Sequence, residues 1–92
     1  MTTLHCLTKS PFQQPLDCVL ERVLPGDTLL FCEDAVYYLL QNVKEPLPEE
    51  VKCYFLHDDI VARGLKTNER ITTISYHEWV ELTLVHTNQI RW

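Results

Sequence analysis

The 92-residue chain holds four cysteines, at positions 6, 18, 32 and 53, and a thiol can serve as nucleophile, metal ligand or half of a redox pair. Their spacing assembles none of these. No two stand as Cys-x-x-Cys and no histidine follows at zinc-finger distance, so no metal site, dithiol site or bound cofactor is expected. In a reducing compartment all four should be free thiols. The remaining candidates are acids and an imidazole in two short runs, Glu33-Asp34 and His57-Asp58-Asp59. One reading makes them a carboxylate pair or a His/Asp metal site. The plainer reading makes them capping residues of the helices they precede, because the free amide donors of a first helical turn favour negative charge. Acids beside a thiol also disfavour its thiolate, so an edge built from these runs is poorly suited to an activated cysteine. His5, His77 and His86 show no spacing signature.

What these residues can do depends on the elements that carry them. "TLHCL" (3–7), "TLLFC" (28–32), "KCYFL" (52–56) and "ITTIS" (71–75) are short, rich in β-branched, aromatic and leucine residues, and predict strands. Between them, "LDCVLERVL" (16–24), "DAVYYLLQNV" (34–43) and "DDIVARG" (58–64) predict helices. The first stops at Pro25-Gly26-Asp27. The second opens on Asp34, and the third carries Arg63 in its last turn and ends at Gly64. "VELTLVHT" fits a helix or a strand equally well by pattern, and a short final strand is possible in "QIRW". The alternation of strand and helix predicts a compact three-layer α/β domain spanning residues 1–92, with a predominantly parallel sheet of four to five strands. Helices pack on the sheet, and the first three strands lie at its centre.

This placement sorts the cysteines. Cys6, Cys32 and Cys53 fall in strands, where a buried cysteine behaves as a small inert hydrophobe. Cys18 differs: Leu16, Val19, Leu20 and Val23 form the apolar face of the first helix, and Cys18 lies on the polar side with Asp17, Glu21 and Arg22. It should be exposed or at a partner interface. Arg22 would favour its thiolate while Asp17 and Glu21 oppose it, which makes Cys18 the candidate sulfur-handling residue.

Composition excludes other classes of function. Ligands of open α/β sheets sit beyond the carboxyl ends of the strands, yet the loop after the first strand, "TKSPFQQP", has no glycine to let backbone amides approach a phosphate. The formal charge is −5, and the eight Lys and Arg are scattered, so no direct contact with nucleic acid is expected. No apolar run approaches the ~20 residues of a membrane span and the first residues lack a signal-peptide pattern, so a cytoplasmic location is expected.

Four stretches, "LHCLTKSPF", "PGDTLLFCEDAVY", "YFLHDDIVARGL" and "ISYHEWVELTLVHTNQIRW", resemble in this order and spacing the TusB/DsrH proteins of bacterial sulfur relay. The resemblance covers nearly the whole chain. It implies a DsrEFH-like fold in which the last long segment is a helix. It also implies a heterohexamer with TusC-like and TusD-like siblings, arranged as a dimer of trimers. In that relay, persulfide sulfur passes from a TusA-like donor to a cysteine of the TusD-like subunit, then to a TusE-like acceptor and a thiouridylase that 2-thiolates the tRNA wobble uridine. The loop after the third strand has no cysteine here, which fits a non-catalytic member. Some members of the DsrH branch, in sulfur oxidisers, carry a cysteine on the first helix. Counting back from Pro25-Gly26 without gaps puts Val19 rather than Cys18 at that place, so no catalytic residue is carried over. Such an assembly would also account for the apolar surplus of residues 78–92, where Trp79, Leu82, Ile90 and Trp92 are the expected interface anchors.

Overall fold

The computed structural model describes residues 2–40 and 50–92. Five strands, β1 (Thr3–Leu7), β2 (Thr28–Phe31), β3 (Lys52–Leu56), β4 (Thr73–Ile74) and β5 (Asn88–Arg91), form one sheet in the order β4-β3-β2-β1-β5, and every pairing is parallel. The three long apolar runs sit in the middle, as their composition predicts. A strand covered on both faces reads as a continuous apolar stretch, and all four residues of β2 are buried.

Among the described residues, three helices and a 3-10 helix lie between the strands: α1 (Leu16–Leu20), the 3-10 helix (Glu33–Leu40), α2 (His57–Ala62) and α3 (Tyr76–Val85). Parallel crossovers are right-handed. Three that step the same way therefore place their helices on one face, and the one that steps back from β4 to β5 places its helix on the other. The core divides accordingly. On one face Leu7, Leu29, Phe31 and Phe55 pack with Val19 of α1, Ile60 of α2 and the 3-10 helix. On the other, Leu4, Cys6, Leu30, Cys32, Leu56 and Ile74 are covered by Trp79 and Leu82 of α3.

Several boundaries differ from the sequence pattern for local reasons. The first helix keeps only residues 16–20, and its continuation tightens into turns in which the amides of Arg22 and Val23 bond three residues back. The segment after β2 is a 3-10 helix because its buried residues, Ala35, Val36, Tyr38 and Leu39, repeat every three positions, the period of that helix. The expected continuation to residue 43, and all but the last residue of the surface connection expected at 44–50, lie outside the described residues. The ambiguous segment is a helix, α3. It starts four residues before that segment, at Tyr76, because Ser75 accepts the Glu78 amide at 3.2 Å while Glu78 Oε1 accepts the Ser75 amide at 3.1 Å. That Ser-x-x-Glu spacing was present in the sequence.

Candidate functional site

The carboxyl ends of β1, β2 and β5 and the first turns of α2 and α3 enclose a cleft of about 410 Å³ on the α3 side of the sheet. Its chemistry comes from Cys6, Cys32, Glu33, Asp59, Trp79 and Arg91. Cys6 on β1 and Cys32, which follows the last residue of β2 rather than lying within a strand as expected, share one face of the sheet, a juxtaposition that spacing alone could not reveal because Cys6 is aligned with Leu30. Both thiols are held protonated. Burial pushes Cys6 up, despite a hydrogen bond from Trp79 and the Arg91 charge. Burial, followed by Cys6, Glu33 and Asp59, pushes Cys32 up to about 12, and its Sγ–H donates to the Leu7 carbonyl at 3.4 Å. A neutral thiol that spends its proton on a carbonyl is a poor nucleophile.

The acids of this edge do more than occupy first turns. Asp58 and Asp59 lie in the first turn of α2, whose N-cap is Leu56 with no side-chain bond, so the expected capping is replaced by a tertiary tie. Asp59 Oδ2 accepts the Glu33 amide at 2.7 Å. Asp34, likewise, accepts from Arg63 Nε and Nη2 at 3.1 and 3.0 Å. Glu33 has φ of 51°, a left-handed conformation uncommon outside glycine, and the Asp59 bond helps hold it there. Its carboxylate meets Arg91 at 3.4 Å across the mouth of the cleft. Among the described residues no three His, Cys, Asp or Glu side chains gather as a metal ion would require.

Cys18 lies elsewhere. It is exposed on α1, whose Val19 belongs to the opposite core cluster, so the sheet separates it from Cys6 and Cys32. Its charged form and that of Asp17 reach Tyr38, whose phenol is pushed up first by burial and then by these two neighbours. Cys53 is half-buried on the α1 face.

The residues of the apolar tail separate by direction. Trp79 and Leu82 are half-buried and turn inward on the protein's own sheet; Ile90 on β5 is exposed. Trp92 folds back against the other face. Its amide bonds the Cys6 carbonyl at 2.9 Å, and its indole N–H donates to His5 Nδ1 at 3.2 Å. That bond fixes the tautomer: Nδ1 accepts, so Nε2–H donates to Asp27 Oδ2 at 3.0 Å. Asp27 also accepts the amides of Thr3 and Leu24. Burial pushes its carboxyl up, but these three hydrogen bonds outweigh it and hold the group below its usual range. The sequence named His5 and Asp27 without linking them, since residues 22 apart meet only through the β1–β2 register. Sequence reasoning also did not separate Val80 and Leu84, exposed apolar residues of α3, from its inward side; the helical phase contained that signal once the inward face was known.

Fold and site together define a small all-parallel α/β domain with the thiols at the carboxyl edge of its sheet buried and protonated. The family model described as DsrH like protein matches residues 9–89, and the chain belongs to that family. Proteins named Protein TusB are similar over 97% of this chain and 99% of their own length: 33% identical in Buchnera aphidicola, 34% in Pectobacterium parmentieri and 36% in Serratia proteamaculans. Among solved structures, Tm0979 from Thermotoga maritima shares the fold, with a TM-score of 0.66 and 23% identity over 91% of this chain and 92% of its own. No helix among the described residues is long and apolar enough to cross a membrane.

Proposed function

We propose that this chain is a non-catalytic subunit of a TusBCD-type sulfurtransferase complex, part of the relay that delivers persulfide sulfur for 2-thiolation of the tRNA wobble uridine. Its relatives carry the TusB name along their whole length, and TusB belongs to that relay. The observation that carries the non-catalytic part is the sheet edge. β3 runs directly into the first turn of α2, His57-Asp58-Asp59, without a cysteine there, and the two thiols that do reach the edge are buried beside acids. In this reading TusC-like and TusD-like siblings complete a heterohexamer in the cytoplasm. The sulfur arrives from a TusA-like donor and leaves through a TusE-like acceptor, by way of the TusD-like cysteine.

A second reading is favoured by one feature, the exposure of Cys18: a DsrH-like subunit that itself accepts sulfur on that residue in a sulfur-oxidation relay. The Cys18→Ser variant separates the two, since serine keeps size and exposure but cannot hold a persulfide. Thiolated tRNA, scored by mobility on a mercury-containing gel, should stay at the wild-type level. Loss of thiolation with the complex intact would make this chain a sulfur carrier. Mass spectrometry after exposure to persulfidated TusA-like donor gives an independent reading, since only a carrier gains one sulfur atom on Cys18.

A further inference from the structure

α3 is held to its own sheet by one side only. Trp79, Leu82 and Thr83 face inward and are half-buried, and none of its ten residues is fully buried. On the outside, Tyr76, Val80 and Leu84 follow at i, i+4 and i+8 and form a continuous apolar stripe, 49%, 58% and 80% exposed. Farther round the helix, past His77, Glu78 and Glu81 form the acidic rim of a groove of about 240 Å³ between α3 and the β3–β4 edge, which Tyr54, Ile74, Leu82 and Val85 also line. The stripe is an apolar surface that large side chains of another chain can cover, and the groove beyond its acidic border adds apolar contacts next to carboxylates.

Charge identifies the kind of chain. Glu78 and Glu81 border the stripe on one side, and α3 contains no Lys or Arg. Glu81 has His77 at 3.1 Å as its neighbour, and both are exposed. The opposite border, around Tyr76, is acidic as well: Asp59, Asp58 and Glu33 act on its phenol and raise it, Asp59 most. The nearby cations are engaged, Arg91 with Glu33 and Arg63 with Asp34 and Asp59. A second copy would fit badly. A two-fold axis across antiparallel helices sets each flank against itself, Glu81 near Glu81, and a parallel pairing sets the Glu78/Glu81 flank against the acidic Tyr76 flank. Like charges meet in both arrangements, and such juxtapositions are costly.

We propose that the outer face of α3, the Tyr76–Val80–Leu84 stripe with its neighbouring groove, seats a different protein chain that presents apolar side chains bordered by Lys or Arg, rather than a second copy of this one. This rests on the subunit reading above and adds to it the face used and the chemistry of the partner. Inward-facing Trp79 and Leu82 then support the helix from beneath, and the contact itself belongs to residues on the outside.

The test is co-expression of the full chain with its TusC-like and TusD-like siblings, followed by affinity capture and sizing at two salt concentrations. The V80D/L84D double variant alters only exposed positions, and circular dichroism of the isolated variant checks that the fold is kept. Capture of the siblings should fall at least about tenfold, as expected when central apolar contacts are replaced by charge. Glu81→Lys should weaken capture less and reduce its salt dependence, because it removes an attractive charge. Phe12→Asp, at a position 94% exposed and away from α3, should leave capture unchanged. Wild-type capture with the double variant captured equally well would overturn the assignment of this face while leaving the subunit reading in place. No capture of wild type by either sibling would overturn that reading and this proposal with it. A wild-type homodimer in isolation that V80D/L84D dissociates would show that the face pairs with itself.

Discussion

Replacing Trp92 with phenylalanine is the most direct probe of how this fold secures its last strand. The ring plane would remain, stacked near His5 as the indole is now at 6.2 Å between centroids, but the N–H that donates to His5 Nδ1 would be gone. His5 is fully buried and its other nitrogen is committed to Asp27, so water cannot replace the lost donor and Nδ1 is left unsatisfied. A buried polar atom deprived of its partner costs about 1–3 kcal/mol. Trp92→Ala removes the packing too. Full burial of a tryptophan would place that loss at about 3–5 kcal/mol, and because Trp92 is only half-buried the low end applies. Urea unfolding followed by circular dichroism measures both variants, with a fall in midpoint and an unchanged slope expected for each. A Trp92→Phe midpoint equal to wild type would refute the reasoning, since the indole bond would then contribute nothing and the Trp92–His5–Asp27 chain would be incidental.

Stability should also decline on acidification. His86 is held below its ordinary 6.5, by burial first, so its unfolded form takes up a proton before the folded form does. Its contribution is complete above that value and is lost as pH falls below it toward the folded pKa. His86→Gln should therefore flatten the dependence of the urea midpoint on pH just below 6.5. Asp27 acts in the same sense at lower pH: its carboxyl is depressed below 3.8 in the folded state, so its contribution is present above 3.8 and disappears as pH falls through the folded value. Timed alkylation with peptide mapping should label Cys18 well before Cys6 and Cys32, because one is exposed and the others are buried with raised pKa values. Equal rates would contradict the burial described here.

Much of the architecture was legible because it depends on local pattern. The apolar runs at 3–7, 28–32 and 52–56 read as strands, and their alternation with helical segments pointed to a predominantly parallel sheet with helices packed on it. The phase of Leu16, Val19, Leu20 and Val23 placed Cys18 outside, where the structure has it. Two local signals were legible and passed over: the Ser75–Glu78 capping box, and the three-residue period that makes residues 33–40 a 3-10 helix.

The rest depended on contacts between residues distant in the chain. Leu4 to Leu7 pair in register with Thr28 to Phe31, which sets Cys6 and Cys32 on one face and carries His5 to Asp27. β5 then adds to β1 on the open side, bringing Trp92 to His5 and Arg91 to Glu33. Nothing in the spacing of these residues contains that information, because strand order is chosen by which edges remain free after the other crossovers are made. The same holds for α3. Its sequence shows an apolar surplus, but which part of the surplus is core and which is surface was decided when the helix settled on the sheet with Trp79 and Leu82 beneath it and Val80 and Leu84 outside. Helical periodicity fixes the angles between side chains. Only the packing against a second element fixes where that angle begins.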